Sequence, residues 1–168
     1  SGINGSSLKC LRLENCYFVH NGNFLRSPGG ANSGDSSTGN FSGSAVYSSA
    51  PVSAVGCRFI ANFGTVINSN TTSGGHGGAV RLVSGAEGSA FTNCAWVANG
   101  EEVNWTWNNK GPNDSGALVV HFGSASGTVD VERCTFAYNL NDGYETTAGL
   151  NLSLGTANIH NSIFFGNI

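Results

Sequence analysis

Charged residues are scarce in this sequence of 168 residues, where they make up 10% of the chain, against a usual share of about 25%. Helical bundles and coiled coils need long runs of Ala, Glu, Lys, Leu and Arg, and the sequence has no such runs. The seven Lys and Arg residues are scattered singly and the net charge is −3, so the chain offers no basic patch for nucleic acid or for an anionic membrane. A hydrophobic content of 39% still suffices for a continuous core, which argues against disorder.

Long apolar runs are missing as well. No run approaches the roughly 20 residues that a transmembrane helix requires. Residues Ser1 to Asn4 contain neither a basic region nor an apolar signal core. We therefore expect a chain without a membrane span that is mature, trimmed or excerpted.

What the sequence does have is glycine and short apolar segments. It contains 25 glycines, and Ser, Thr, Asn and Gly fill the spaces between short Val, Ile, Phe and Cys segments. This composition is typical of an all-β protein.

One short pattern, Cys/Ser-x-aromatic-x-x-Asn, recurs five times along the chain. Like residues stack on like residues in a solenoid, so we expect the first two positions to form an interior core ladder. That ladder consists of Cys16, Phe18, Cys57, Phe59, Cys94, Trp96, Cys134, Phe136 and Phe164, with Ser162 in the cysteine place of the fifth copy. The Asn position is predicted to turn a corner, where Asn tolerates left-handed geometry and can bond the backbone or the next Asn amide. The corner residues are Asn21, Asn62, Asn99, Asn139 and Asn167.

A second element opens a short strand with small residues between these copies. It stands at Gly43–Val46, Gly77–Val80, Ser115–Leu118 and, in degenerate form, Ala148–Asn151. Further strands such as Thr128–Glu132 show clean period-2 alternation. Three short strands per turn predict a right-handed, three-faced parallel β-helix with about five coils. We expect residues 1–168 to form a single domain, with long loops after the Asn corner at 23–42, 63–75 and 100–115.

The alternation of the Gly-Gly-Ala-Val element with the Phe-x-x-Asn element resembles the repeats of a known group. Similar repeats occur in the chlamydial polymorphic membrane proteins and in other right-handed parallel β-helix proteins of the pectin-lyase-like type. The resemblance covers the chain from Cys10 to Asn167 and implies this fold. It also implies two functions, because the chlamydial members are adhesive passenger domains and many parallel β-helices cleave acidic polysaccharides.

Polysaccharide hydrolysis needs paired carboxylates, and β-elimination needs a base and a cation, usually helped by Ca²⁺. Asp130 and Glu132 lie two apart on one strand and therefore project to the same outer face, with Arg133 and Arg58 as neighbours. An ordinary solvated strand face has the same pattern, and we expect no catalytic residue there. A second candidate is a sugar-contact loop with the residues Glu101, Glu102, Trp105 and Trp107.

The histidines do not predict a metal or cofactor site. His76 lies in a Gly-Gly-His-Gly-Gly string whose last two glycines belong to the tight-turn element of the repeat. His20, His121 and His160 lack metal-ligand spacing with any cysteine pair. No helix follows the glycine-rich stretches that could hold a phosphate at its N-terminus. We therefore expect no metal and no cofactor.

Four of the five cysteines occupy equivalent inward positions of the repeat, and Cys10 stands outside that column. An inward cysteine behaves as a small hydrophobe. Neighbouring coils bring Cα atoms to about 4.8 Å, so a disulfide between them is sterically allowed but fits in-register parallel geometry poorly. We expect mostly free, buried thiols.

Six Asn-x-Ser/Thr triplets are candidate N-glycosylation sites. They stand at Asn4, Asn40, Asn70, Asn104, Asn113 and Asn151. There are two explanations for these triplets. They arise by chance in a chain rich in Asn, Ser and Thr, or they are the glycan acceptor sites of a eukaryotic secretory glycoprotein. Four of them fall in predicted surface loops, where a glycan is tolerated.

These observations predict a structural subunit or scaffold of an extracellular, secreted and glycosylated filament, appendage or adhesive surface. The alternative is a carbohydrate-binding or polysaccharide-degrading β-helix module. The expected partners are N-linked glycans and further copies of the chain, with no nucleic acid.

The two ends of the sequence carry a further expectation. Leu8–Leu13 is the first predicted strand, so the first coil is expected to lack its Gly-Ala strand, and Phe164–Ile168 stops directly after the last Asn corner. Uncovered terminal coils expose unpaired backbone groups. Head-to-tail stacking of copies would pair them. An excerpt of a longer solenoid and a capped monomer are the two alternatives.

Overall fold

The computed structural model of the chain describes residues 3–4, 9–24, 45–66, 78–103, 116–141 and 148–168. Within these ranges the regular structure consists of short β-strands, and neighbouring strands are parallel in every sheet. Consecutive strands form what we call a rung, in which each strand belongs to a different sheet.

The described residues contain five such rungs. The first rung comprises β1 (Ile3–Asn4), β2 (Leu11–Glu14), β3 (Tyr17–Val19) and β4 (Gly22–Phe24). The second comprises β5 (Val46–Ser48), β6 (Val52–Val55), β7 (Arg58–Ile60) and β8 (Phe63–Val66). The third comprises β9 (Val80–Val83), β10 (Ser89–Thr92), β11 (Ala95–Val97) and β12 (Gly100–Val103). The fourth comprises β13 (Leu118–His121), β14 (Thr128–Glu132), β15 (Thr135–Ala137) and β16 (Leu140–Asn141). The fifth comprises β17 (Leu150–Leu154), β18 (Thr156–His160) and β19 (Ile163–Phe165).

Stacked rungs build four parallel sheets. Sheet 1 contains β1, β5, β9, β13 and β17, sheet 2 contains β2, β6, β10, β14 and β18, and sheet 3 contains β3, β7, β11, β15 and β19. Sheet 4 contains β4, β8, β12 and β16. Strand order in each sheet follows rung order. The chain is an all-β parallel β-helix, which confirms the predicted fold class.

The register of sheet 3 places each copy of the repeat on the next. Phe18 pairs with Phe59, Phe59 with Trp96, and Trp96 with Phe136. Phe136 pairs in turn with Phe164. The irregular sequence spacing of the repeats is therefore taken up in the segments between rungs.

The prediction of three strands per turn, with a loop directly after the Asn corner, is wrong in one respect. A fourth short strand follows that corner, so the first residues of the three predicted loops lie in β4, β8 and β12. These segments lack the apolar alternation that predicts a strand. They pair because the neighbouring corner fixes their register: Gly100 N–H donates to Asn62 C=O at 3.0 Å, and Leu140 N–H donates to Asn99 C=O at 2.8 Å.

The prediction that the first rung lacks its sheet 1 strand is also wrong. Ile3 and Asn4 form β1, which pairs with Val46 and Tyr47 of β5. Ile3 is partly buried against the hydrophobic core. An apolar contact therefore holds this strand in place without the Gly-Ala element.

Two corners of each rung use left-handed backbone geometry. The residue before each Asn of the repeat has a φ between 51° and 59°, and these residues are His20, Ala61, Ala98, Tyr138 and Gly166. The residue before each Cys or Ser of the repeat has a φ between 49° and 66°, and these residues are Asn15, Gly56, Asn93, Arg133 and Asn161. The prediction placed the left-handed residue at the repeat Asn itself, one position too late. The Asn side chain forms hydrogen bonds with neighbouring rungs, and the residue before it adopts the left-handed conformation of the turn.

The Gly-Gly-Ala element brings two backbones together at the start of sheet 1. Gly78 has a φ of +127°, and a Cβ atom there would collide with the carbonyl oxygen of Gly116 in the next rung. Ala79 and Val80, which follow, are fully buried. Glycine is therefore required at position 78 by both conformation and space.

Candidate functional site

Three columns of equivalent side chains run through the five rungs of the described residues. The first, which we call the aromatic column, contains Phe18, Phe59, Trp96, Phe136 and Phe164. Its rings stack nearly parallel, with centroids 5.0, 5.1, 4.5 and 4.6 Å apart from the first pair to the last. Phe59, Trp96 and Phe136 are 0% exposed.

A second column, the asparagine ladder, contains Asn21, Asn62, Asn99, Asn139 and Asn167. In each step the Oδ1 of one Asn accepts hydrogen bonds from both the backbone N–H and the Nδ2 of the Asn one rung earlier, at 2.8–3.1 Å. Each Nδ2 from Asn62 onward also donates its second hydrogen to the carbonyl of the aromatic residue one rung earlier, at 2.8–3.1 Å. The bonds between asparagines have a single direction, because the Oδ1 always belongs to the later rung.

The three middle asparagines of the ladder are buried. Buried amides are costly unless they are hydrogen-bonded, and here each one is used along the axis of the helix. The ladder therefore contributes to cohesion between rungs and leaves no middle amide directed at a ligand.

The third column, the cysteine column, contains Cys16, Cys57, Cys94 and Cys134, continued by Ser162. All five cysteines of the chain are free thiols, which confirms that prediction. The backbone N–H of Cys94 donates to Cys134 Sγ at 3.4 Å, and the N–H of Cys134 donates to Ser162 Oγ at 3.0 Å.

The buried thiols influence one another. Burial raises the pKa of Cys57. The side-chain hydrogen bond between the Cys94 and Cys134 thiols, together with burial, raises the pKa of Cys94, while that side-chain hydrogen bond lowers the pKa of Cys134. Cys57 and Cys94 therefore stay protonated at neutral pH, as interior packing groups do.

The face of the fifth rung that points away from the fourth is apolar and concave. An open cavity of about 550 Å³ lies there, lined by Ala148, Gly149, Leu150, Phe164, Phe165, Gly166, Asn167 and Ile168. Phe164, the last ring of the aromatic column, is 44% exposed. Phe165 and Ile168, which also line the cavity, are exposed as well.

The carboxylate pair on sheet 2 makes local surface contacts. Asn158 Nδ2 donates to Asp130 Oδ1 at 2.8 Å. Glu132 lies 3.3 Å from the guanidinium of Arg133, and both side chains are exposed. Arg58 donates to the carbonyl oxygens of Cys57 and Asn93 at 3.0 and 2.8 Å. Surface contacts of this kind hold side chains on a strand face and provide no enclosed site for a sugar.

The structure describes only part of the predicted sugar-contact loop. Glu101 and Glu102 lie in strand β12, while Trp105 and Trp107 lie outside the described residues. His76 lies outside them too. His121 and His160 lie on the exposed sides of β13 and β18, and His20 sits at a left-handed corner.

Two of the six candidate glycosylation sites lie among the described residues and four lie outside them. Asn4 lies in β1 and Asn151 in β17, where it is half-buried. Asn40, Asn70, Asn104 and Asn113 fall outside the described residues.

Within the described ranges, no group of three or more His, Cys, Asp or Glu side chains is arranged to hold a metal ion. The same residues contain no helix long and apolar enough to cross a membrane.

Sequence reasoning did not single out Phe165, Gly166 and Ile168, which line the cavity of the fifth rung. They belong to no chemical motif. The signal that could have found them is positional, because each lies beside Phe164 or Asn167 of a column.

Comparison of the chain with protein-family models, with curated proteins and with solved structures found no match.

Proposed function

We propose that the chain is a structural scaffold of an extracellular, N-glycosylated filament, appendage or adhesive surface. The observation that carries this proposal is the asparagine ladder. Asn62, Asn99 and Asn139 are buried polar residues, and the amide side chain of each makes hydrogen bonds that run between rungs. A protein that uses its interior amides in this way resists separation of its rungs along the axis.

The aromatic and cysteine columns support the same reading. Both fill the interior with side chains from equivalent positions, so each rung depends on its neighbours as in other solenoids. The resemblance of the repeats to chlamydial polymorphic membrane protein passengers adds support for an adhesive surface, and the six sequons support a secreted glycoprotein.

Glycan analysis of native material tests the extracellular part of the proposal. Intact-peptide mass spectrometry is expected to find sugar on the sequons, most readily at Asn104 and Asn113. Native protein with every sequon bare would contradict secretion through a glycosylating compartment.

A polysaccharide assay tests the structural part. The chain is incubated with pectin-like and other acidic polysaccharides, with and without Ca²⁺, beside a Glu101→Gln/Glu102→Gln double variant. We expect no unsaturated or reducing ends from either protein. Release of such ends by the unsubstituted chain, lost in the double variant, would overturn the scaffold proposal in favour of a carbohydrate-active module.

A further inference from the structure

A reactive Asn-Gly pair lies in the middle of the asparagine ladder. Of the three buried members of the ladder, Asn99 is the one that precedes a glycine, Gly100. The other two precede Phe63 and Leu140. In an Asn-Gly pair the backbone nitrogen of the glycine can attack the side-chain amide carbon of the asparagine, because no Cβ atom hinders the approach. Asparagine is a thermally labile residue in proteins, and Asn99 has the neighbour that makes it so.

Packing requires this glycine. Gly100 is buried in β12, where it pairs with Phe63 of β8 and Leu140 of β16. A Cβ atom at position 100 would collide with the carbonyl oxygen of Leu140 in the next rung. The close approach of the two backbones therefore keeps glycine at this position, and with it the reactive neighbour of Asn99.

The folded ladder uses every polar group that takes part in the reaction. The Gly100 N–H donates to the carbonyl of Asn62 at 3.0 Å. Asn99 Oδ1 accepts hydrogen bonds from the N–H and the Nδ2 of Asn62, at 3.0 and 2.9 Å. Asn99 Nδ2 donates to Asn139 Oδ1 at 3.0 Å and to the carbonyl of Phe59 at 2.8 Å. Asn99 is also 0% exposed, so the reaction requires the third rung to open.

The reaction is a hydrolysis of the side-chain amide through a cyclic imide. The Gly100 nitrogen forms a bond to Asn99 Cγ, the bond from Cγ to Nδ2 breaks, and the glycine N–H proton leaves with that nitrogen as ammonia. Water then opens the imide. Breaking the new bond to Cγ gives aspartate, and breaking the bond to the backbone carbonyl carbon gives isoaspartate. Water is the co-reactant, so the step consumes no oxidant or reductant.

Neither product fits the closed ladder. One carboxylate oxygen of aspartate replaces Asn99 Oδ1 as the acceptor for Asn62. The other takes the place of Nδ2, where it faces two acceptors, Asn139 Oδ1 and the carbonyl of Phe59. A buried carboxylate oxygen that faces acceptors is strongly unfavourable. Isoaspartate also lengthens the backbone and so shifts β12 against its neighbours.

We propose that Asn99 is a deamidation site that makes opening of the β-helix irreversible. While the third rung is closed, the ladder protects the side chain. When the rung opens, Asn99 becomes reactive, and the carboxylate that forms prevents the ladder from closing again between the third and fourth rungs. Asn21 and Gly22 form the same pair in the first rung, but Asn21 is only half-buried, so a charge there lies closer to water. This inference goes beyond the proposed scaffold function and does not depend on it.

The first test measures deamidation of the three buried ladder members in the complete 168-residue chain. Peptide mass spectrometry follows the mass increase at Asn62, Asn99 and Asn139 at neutral pH, with and without guanidinium chloride. In denaturant, Asn99 should react at least about tenfold faster than the other two, whose following residues hinder the attack. Without denaturant, the reaction at Asn99 should slow at least about a hundredfold, because rung opening costs free energy.

The second test loosens the ladder beside Asn99. Asn139→Ala removes the acceptor of the Asn99 backbone and side-chain amides and should speed deamidation at Asn99 in the folded chain about tenfold or more. Asn158→Ala is the matched control, since it removes an exposed hydrogen bond to Asp130 on sheet 2 and should stay within about threefold of the unsubstituted chain. In denaturant both variants should react at the parent rate. Circular dichroism verifies that both keep their strand content.

The third test examines the product. Asn99→Asp places the aspartate in the ladder directly, and Asn93→Asp adds the same charge at an exposed corner of the same rung as its control. Urea melts should give Asn99→Asp an unfolding equilibrium constant at least about a hundredfold larger than that of Asn93→Asp.

A refolding measurement covers the case in which Asn99→Asp does not fold. The unsubstituted chain is held in guanidinium chloride until about half of Asn99 has reacted and is then diluted into buffer. Peptide mass spectrometry should find the converted residue depleted from the fraction that regains native strand content.

Four results would overturn the inference. They are equal deamidation of Asn99 with and without denaturant, an unchanged rate in folded Asn139→Ala, an Asn99→Asp chain as stable as Asn93→Asp, and a refolded fraction that contains converted Asn99 in full.

Discussion

The fourth and fifth rungs have the same local geometry and very different burial. Phe136 and Phe164 stack with centroids 4.6 Å apart and planes 2° from parallel, yet Phe136 is 0% exposed and Phe164 is 44% exposed. Asn139 and Asn167 are joined by the same kind of hydrogen bonds as the inner pairs. Each rung thus takes its conformation from one neighbour, while full burial requires two.

The middle rungs should protect their thiols far better than the first rung does. Cys10 is exposed and Cys16 is half-buried, whereas Cys57, Cys94 and Cys134 are buried. A buried thiol reacts only when its rung opens, so we expect these three to label at least about a thousandfold more slowly than Cys10. Labelling with a thiol reagent followed by peptide mass spectrometry measures each rate. Comparable rates at Cys10 and Cys94 would show that the middle rungs open as readily as the ends.

Removing a ring of the aromatic column should cost more stability in the fourth rung than in the fifth. Phe136→Ala is expected to lower the free energy of unfolding by roughly 3–5 kcal/mol, the usual cost of removing a buried aromatic side chain. Phe164→Ala should cost about half as much, because much of its ring is already in contact with solvent. Urea melts of both variants beside the unsubstituted chain measure the two losses.

Equal losses at Phe136 and Phe164 would contradict the difference in burial between the two rungs.

Removing an asparagine of the ladder should also cost more stability in a middle rung than in the fifth rung. Asn99→Ala removes the acceptor of Asn62 and leaves the carbonyl of Phe59 without its amide donor. Because these groups are buried, we expect a loss of roughly 3 kcal/mol. Asn167→Ala should cost about 1 kcal/mol, since water can reach the groups it leaves behind. Urea melts of both variants provide the measurement, and a larger loss at Asn167 than at Asn99 would contradict it.

The parallel β-helix could be predicted from the sequence because the cysteine, aromatic and asparagine positions keep a fixed spacing within each copy. That spacing is set by a three-residue strand between two corners, which variable segments elsewhere in the rung do not disturb. The pattern therefore survives large differences in the distance between copies.

The fourth sheet could not be predicted by the same reasoning. Gly100–Val103 and Leu140–Asn141 carry no alternation of apolar residues, and they become strands only because the neighbouring corner sets their register. The hydrogen bond between Asp130 and Asn158 could not be predicted either. It joins residues of two neighbouring rungs, so predicting it requires the register between those rungs.

The left-handed corners also escaped the sequence reasoning, because alanine and tyrosine have no preference for that geometry. Ala98 has a φ of 53° and Tyr138 a φ of 55°. Their conformation is imposed by the ladder on one side and by the sheet 3 strand on the other.

The smallest predicted effect is at these corners, and here the middle and end rungs should behave alike. Ala98→Gly relieves a left-handed residue in the third rung, and Gly166→Ala introduces one in the fifth. A left-handed non-glycine residue costs roughly 1–2 kcal/mol, and the greater freedom of glycine in the unfolded chain offsets part of that. We therefore expect Ala98→Gly to raise the free energy of unfolding by about 0.5–1 kcal/mol.

Gly166→Ala should lower the free energy of unfolding by a similar amount, since the nearest atoms to a new Cβ belong to the exposed ring of Tyr138, which can move aside. Urea melts of both variants measure these changes, with Ala95→Gly on a neighbouring strand as a control that should destabilise. A stabilisation by Ala98→Gly without a matching loss at Gly166 would mean that corner strain, like burial, depends on having a rung on both sides.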